Sequence, residues 1–321
     1  MSSDLPETIG RYQVRELLGK AGGSAVFKAA EPQGRPVAVK LFPDALGENA
    51  ATLERFRREL AAVVPVSRHP NLVQVLETGE DGGRPYMAME LVEGTSLDRI
   101  LKARRVSLPE AFAVMRGVCR GLAQAHQHGL VHRSLTPRNV LVSPDFGTVK
   151  VADLGATAFE SVAPSLTATL GTGEIRLGAL YYLAPEHLEG RPVDARADLY
   201  SAGVIFHEML TGRAPGPKFG LPSQLNPELP QEVDAAVLKC LARKPEERYA
   251  SAGELLAAVE RLEELLRLRV LTEFRGISQA GSRLLGGGGG GAEGGGKKTW
   301  LWVGIGVAVV VAVVVGYFLL Q

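Results

Sequence analysis

Residues 132–139 read His132-Arg133-Ser134-Leu135-Thr136-Pro137-Arg138-Asn139, a run of polar side chains whose hydroxyl, amide and imidazole groups could meet a ligand. Ser134 is not a carboxylate and cannot serve as a carboxylate base, and Thr136 carries no positive charge. His126, His128 and His132 cluster on the same stretch and raise the question of a metal. No carboxylate or cysteine stands at ligand spacing beside them, so packing is the better reading. Cys119 and Cys240 fall in apolar helical patterns and read as buried thiols, with no disulfide expected.

An ordered series of motifs surrounds that stretch. Leu18-Gly19-Lys20-Ala21-Gly22-Gly23-Ser24-Ala25-Val26 joins the strand-like runs 12–18 and 26–29. Val37-Ala38-Val39-Lys40 follows, and Glu59 lies on the helical run 56–60. Downstream come Ala152-Asp153-Leu154-Gly155, then Ala184-Pro185-Glu186, then Asp198-Leu199-Tyr200-Ser201-Ala202-Gly203-Val204 and Lys244-Pro245-Glu246-Glu247-Arg248-Tyr249. Any one of these is common. Together and in this order they make the chain from Arg11 to Leu262 resemble the bacterial, eukaryotic-like Ser/Thr protein kinases.

The resemblance implies an α+β, two-lobe fold: a small β-rich lobe over residues 11–93 and a larger helical lobe over 94–265, with ATP and Mg²⁺ between them. It places Gly19 in the loop over the phosphates, Lys40 with its partner Glu59 on the phosphates, and Asn139 and Asp153 on the metal. Val26, Ala38 and Leu141 would sandwich the adenine. Met89 would be the gatekeeper, and the backbone of Glu90 and Val92 would meet the adenine edge. His132, Val63, Val75 and Leu154 would form an apolar column between the lobes, anchored by Asp198.

The departures from the family pattern fall together. Ser134 stands where the catalytic Asp accepts the hydroxyl proton, and Thr136 where a Lys neutralises the transferring phosphate. Ala179, counted back from Glu186 without a gap, takes the place of the family's Thr; Gly171-Thr172 supplies that Thr if residues 173–178 are an insertion. Ala21 replaces the second glycine of the phosphate loop and restricts positive φ there. The resemblance with these losses implies a pseudokinase that binds ATP and Mg²⁺ and acts as a scaffold or regulator among protein partners of a kinase signalling pathway. The alternative is a weakly active Ser/Thr kinase transferring the γ-phosphate to protein hydroxyls. Thr167, Thr169 and Thr172 would be phosphorylated by a separate kinase, with Arg133 as the phosphate's partner.

Composition agrees with a folded body: 321 residues, 45% hydrophobic and 22% charged. Its 36 basic and 35 acidic residues nearly cancel, which gives no electrostatic footprint for nucleic acid. Short β-branched runs at 37–41, 73–76 and 85–91 fill the first part of the chain, with one helix near 52–64. A helical pattern takes over after Gly94, as in 109–128, and a Leu-rich helix is expected over 254–274, its start packed on the large lobe.

Residues 300–320 carry no charge and, at about 1.5 Å per residue, are long enough to cross a hydrocarbon core of about 30 Å. Lys297 and Lys298 precede them, so the positive-inside rule keeps the kinase-like body in the cytoplasm as a single-pass protein of the cytoplasmic membrane. Residues 266–299 join the two as a juxtamembrane helix and a glycine-rich linker, whose 286–296 stretch reaches about 18 Å. Residues 1–10 form a polar tail, no signal peptide. Gly304, Ala308, Ala312 and Gly316 repeat every fourth position, a stripe suited to a homodimer or to pairing with an active kinase.

Overall fold

The structure, a computed structural model, describes residues 5–21, 23–43, 50–155, 180–213 and 220–286. The chain divides into two units, residues 1–262 and 263–321. In the first unit, β-branched runs with a two-residue period form strands β1 (Thr8–Ile9), β2 (Tyr12–Ala21), β3 (Ser24–Ala30) and β4 (Pro36–Leu41). Helix α1 (Ala50–Val66) follows, then β5 (Val75–Asp81) and β6 (Arg84–Glu90). The six strands make one antiparallel sheet in the order β1-β2-β3-β4-β6-β5. Val37, Val39 and Leu41 join one buried cluster with Tyr12, Phe27 and Tyr86. Alternation along β4 therefore sends Ala38 and Lys40 to the opposite face.

Helix α1 is fixed to this sheet by aromatic contact. Phe42, just past β4, meets Phe56 edge to face with ring centroids 4.8 Å apart, and Phe56, Leu60 and Val63 recur at helical spacing and are all buried.

A second, three-stranded sheet joins β7 (Thr95–Ser96), β8 (Val140–Val142) and β9 (Val149–Val151) in that order. Between them run α2 (Leu97–Ala103) and α3 (Leu108–Gln127). Ser107 and Glu110 form a reciprocal capping box at the start of α3, visible in the sequence as Ser-x-x-Glu ahead of an apolar-periodic run. Beyond the second sheet lie α4 (Pro185–Leu188), α5 (Arg196–Thr211), α6 (Pro222–Leu225), α7 (Glu232–Cys240) and α8 (Ala252–Gly286). Helix α5 is buried almost all round. A Cβ at Gly203 would collide with Cys240 of α7, so glycine sets how closely these two helices pack. Leu255, Val259 and Leu262 bury the first turns of α8.

Three expectations change. The run 73–76 does not form one strand, because residues 71–74 give their backbone to both sheets. Val151 N–H donates to Asn71 O and Val73 N–H to Val151 O, each at 2.9 Å, while Glu90 N–H donates to Gln74 O at 2.9 Å. The regular ladder starts only at Val75. Ala21 ends β2 opposite Ser24 and so belongs to a strand rather than to the loop. Helix α8 runs on to Gly286, past the expected end, and in the second unit Leu265 and Leu268 are exposed. Among the described residues no helix is long and apolar enough to cross a membrane. The run 300–320, the glycine-rich stretch past Gly286, and Thr167, Thr169, Thr172 and Ala179 lie outside the described residues.

Glu186 and Arg248 form a two-pronged ion pair at 2.6 and 2.7 Å with both side chains excluded from water. Arg248 also donates to the carbonyls of Ala242, Arg196 and Arg243. Burial pushes the Glu186 carboxyl up, but the Arg248 fork outweighs it and leaves the group below the usual glutamate range. Arg248→Met strands the carboxylate and is expected to destabilise the fold by about 3–5 kcal/mol. Because the folded-state pKa is depressed, the pair's contribution is complete above the unfolded glutamate pKa and is lost as pH falls through the folded value. Denaturation midpoints followed by circular dichroism across acid pH check both points: the wild-type midpoint should fall on acidification more steeply than that of Arg248→Met.

Candidate functional site

Lys40 lies one residue from the end of β4, in register with Val26 on β3 and Met87 on β6. Its Nζ is 2.7 Å from Asp153 Oδ1 and 5.5 Å from the centre of the Phe42 ring. Asp153 comes just after β9 in left-handed backbone, φ +63, a conformation that costs a non-glycine residue ~1–3 kcal/mol. The surroundings hold it there. Ala152 N–H donates to Asn139 O at 2.7 Å, and the His132 ring lies 2.9 Å from Ala152 O. Gly155 has φ +77, and a Cβ on it would stand 2.5 Å from Val63 of α1, so the turn and the helix sit in direct contact.

Burial pushes the Asp153 carboxyl up, and the Lys40 charge, its hydrogen bond and the smaller contributions of His132 and Asn139 together outweigh it. The group stays below the usual aspartate range and is ionised at neutral pH. Its second oxygen, Oδ2, accepts from Asn139 Nδ2 at 3.0 Å.

Asn139 closes a 3₁₀ turn, Pro137–Asn139, whose N-terminal cap is Thr136. The Thr136 backbone N–H and hydroxyl both donate to Asn139 Oδ1, at 3.2 and 2.8 Å. These contacts fix the amide, with its oxygen on Thr136 and its nitrogen on Asp153. Both lone pairs of Oδ1 are thereby occupied. The Asp153 carboxylate, with about four acceptor positions and two donors, keeps room for a cation.

Ser134 lies in the same loop, half-buried, and its N–H donates to His132 O at 2.9 Å. Arg133 beside it has φ +65. The loop is tied to α5 by Asp198, which is fully buried. Its carboxylate accepts from the backbone N–H groups of His132 and Arg133, each at 2.8 Å, and its Oδ2 lies 2.7 Å from His126 Nε2. Val63, Val75, Leu154 and His132 are all buried, as the expected apolar column requires.

The residues expected around the adenine fall on several strands. Ala38 and Met89 are register partners on β4 and β6, and both are buried. Leu141 on β8 pairs with Ser96 and Lys150, and Gly19 on β2 pairs with Val26. Glu59 is half-buried on α1, its carbonyl close to Gly155. Glu90 ends β6. Val92 follows and, with Glu90, borders a separate groove of about 880 Å³ between the β6–β7 link, α2 and the β8–β9 turn. That groove includes none of Lys40, Asn139 and Asp153.

Two features escape the sequence reading. Thr136 is a cap for Asn139, and the Thr-x-x-Asn spacing ahead of a helical turn is the signal that could have shown it. Lys150 reaches across to Glu90 Oε1 at 2.7 Å, and the same oxygen accepts from Gln74 N–H at 2.8 Å. No local spacing announces that pair.

The protein kinase domain family matches residues 12–258. A "probable serine/threonine-protein kinase" of Streptomyces coelicolor is 36% identical over 272 residues, covering 78% of this chain and 40% of that protein. The serine/threonine-protein kinase PknL of Mycobacterium tuberculosis is 36% identical over 281 residues, covering 83% of this chain and 68% of PknL. The chain thus spans about two fifths of the length of the first of these relatives. Among solved structures, the PknI kinase domain of Mycobacterium tuberculosis superimposes with a TM-score of 0.63 at 26% identity, over 79% of this chain and 97% of that domain. Sequence match, two-lobe fold and the Lys40–Asp153–Asn139 cleft agree: the chain belongs to the protein kinase domain family, with relatives among the bacterial serine/threonine-protein kinases.

Proposed function

We propose that this chain is a nucleotide-binding pseudokinase, tethered to the cytoplasmic membrane by residues 300–320, that regulates or scaffolds protein partners in a kinase signalling pathway. What supports this reading is a cleft that brings Lys40, Asp153 and Asn139 together, with Ser134 and Thr136 at the positions the family pattern gives to Asp and Lys. Lys40 meets phosphate oxygens, and Val26, Ala38, Met89 and Leu141 line the adenine side. Ser134 in the base position leaves the attacking hydroxyl without a carboxylate to take its proton, a loss of about 10²–10⁴ in rate. Thr136 adds no charge where the transferring phosphoryl develops its own, and removing one such electrostatic contact costs about 10²–10³ more. ATP and Mg²⁺ are the family's reactants. Asp153 is the residue that would meet the cation, which there would shield phosphate charge.

Membrane attachment rests on the uncharged run 300–320 behind Lys297 and Lys298. The partner is a protein of the same pathway, an active kinase or a second copy of this chain. The competing reading, a weakly active Ser/Thr kinase, draws on the intact Lys40–Asp153 pair and on relatives named as kinases.

Saturation of the whole chain with ADP or ATP at about 100 times the dissociation constant should stabilise it by about 2.7 kcal/mol. The melting temperature rises by about 5–10 °C for a domain of this size. Lys40→Met should abolish most of that rise, and a flat melting curve with a folded wild-type chain would leave a nucleotide-free scaffold.

With γ-labelled ATP, the unmodified chain should label neither itself nor generic acceptors above the Lys40→Met control. The double variant Ser134→Asp, Thr136→Lys should gain measurable transfer. Robust labelling by the unmodified chain establishes the active-kinase reading instead.

Alkaline carbonate extraction of bacterial membranes should leave the whole chain in the pellet, and removal of residues 300–321 should release it to the supernatant. Release of the intact chain would overturn the membrane attachment.

A further inference from the structure

We propose that this site takes its nucleotide without requiring a divalent cation, because Thr136 has withdrawn the oxygen of Asn139 from metal ligation. The inference rests on the nucleotide-binding reading above and concerns how that same cleft holds its ligand.

The geometry that carries it is the pair of donors on Asn139 Oδ1, the Thr136 N–H at 3.2 Å and the Thr136 hydroxyl at 2.8 Å. An amide oxygen offers two lone pairs, and these two donors use both. A metal-ligating asparagine must point a free lone pair at a hard cation about 2.0–2.6 Å away. Asn139 points its nitrogen at the acidic side instead, with Nδ2 on Asp153 Oδ2 at 3.0 Å.

Turning the amide over does not rescue ligation. Nδ2 would then face the Thr136 backbone N–H, donor against donor, and a cation held between Oδ1 and the Asp153 carboxylate would not relieve that clash. The Thr136 hydroxyl can rotate to accept, but its backbone N–H can only donate. That donor lies half-buried, where an unmatched polar group is unfavourable. The rotamer seen is the one the loop enforces.

Asp153 is left as the one anionic ligand of the pair, and Lys40 already neutralises it at 2.7 Å. The two charges cancel locally, so Asp153 does not present an uncompensated carboxylate to a divalent ion. The replacement that removes the phosphate-neutralising charge from position 136 is therefore also the one that disables the second metal ligand. Nucleotide is held by the Lys40 side and by the apolar walls at Val26, Ala38 and Leu141.

The test uses the whole chain in detergent and a fluorescent N-methylanthraniloyl-ADP as probe, titrated in EDTA and in saturating Mg²⁺. The dissociation constants should agree within about threefold, less than the weight of one hydrogen bond. Thr136→Val removes the hydroxyl donor, and Mg²⁺ should then tighten binding by about fivefold or more. Thr136→Lys is the second variant should the first fail to fold by circular dichroism, and it should gain Mg²⁺ dependence in the same direction.

A wild-type chain that loses tenfold or more in affinity in EDTA overturns the proposal while leaving the nucleotide reading standing. So do folded Thr136 variants as indifferent to Mg²⁺ as the wild type. Absence of probe binding in every condition removes the nucleotide reading itself, and this proposal with it.

Discussion

The buried carboxylate of Asp198 is the contact on which the cleft depends. It sits on α5, the helix buried nearly all round, and accepts from two consecutive backbone N–H groups of the loop, those of His132 and Arg133. Arg133 is in left-handed backbone, a conformation an arginine adopts only when its surroundings over-determine it. A carboxylate without water must be satisfied by hydrogen bonds, and here the donors that satisfy it also hold the strained turn. The loop carrying Ser134, Thr136 and Asn139 is thus as well fixed as the core helix beneath it. That frame is set by backbone donors and does not depend on which side chains stand at 134 and 136.

The same logic separates framework from chemistry elsewhere. Glu186 and Arg248 retain a buried ion pair that places the segment after residue 180 against the large lobe. Gly155 keeps its contact with Val63 and so sets α1 against the Asp153 turn. Both belong to the scaffold, and both are present. The substitutions gather at the two positions whose side chains would act on the transferring phosphoryl, Ser134 and Thr136.

Much of this was legible in the sequence because the informative residues are spaced by the elements that carry them. Lys40 at the end of a Val-Ala-Val run marked a strand with two distinct faces, and the structure puts Lys40 and Ala38 on the cleft side. The apolar spacing over 109–128 marked α3. What stayed hidden was the partner of each polar group. The run 73–76 reads as one strand from its apolar pattern, but the backbone of 71–74 is divided between two sheets, and hydrogen-bond partners far away in sequence leave no local periodicity. Asn139 read as a ligand by position. Only its neighbours reveal which way the amide faces, and Thr136, read as a lost lysine, proves to be a cap. The Lys150–Glu90 pair joins elements 60 residues apart, beyond the reach of any motif.

That last pair bears on how the cleft moves. Glu90 belongs to the small-lobe sheet and Lys150 to the large-lobe sheet, while Gln74, in the segment shared by both, donates to the same carboxylate oxygen. Three chain segments converge on one atom at the back of the cleft, opposite the side that opens. The same edge carries the backbone hydrogen bonds of Asn71 and Val73 to Val151, so the two sheets are joined by a seam of several contacts rather than by one point. Any shift of one sheet against the other must strain this seam, and Glu90, which takes both Lys150 and Gln74 on one oxygen, feels it from both sides.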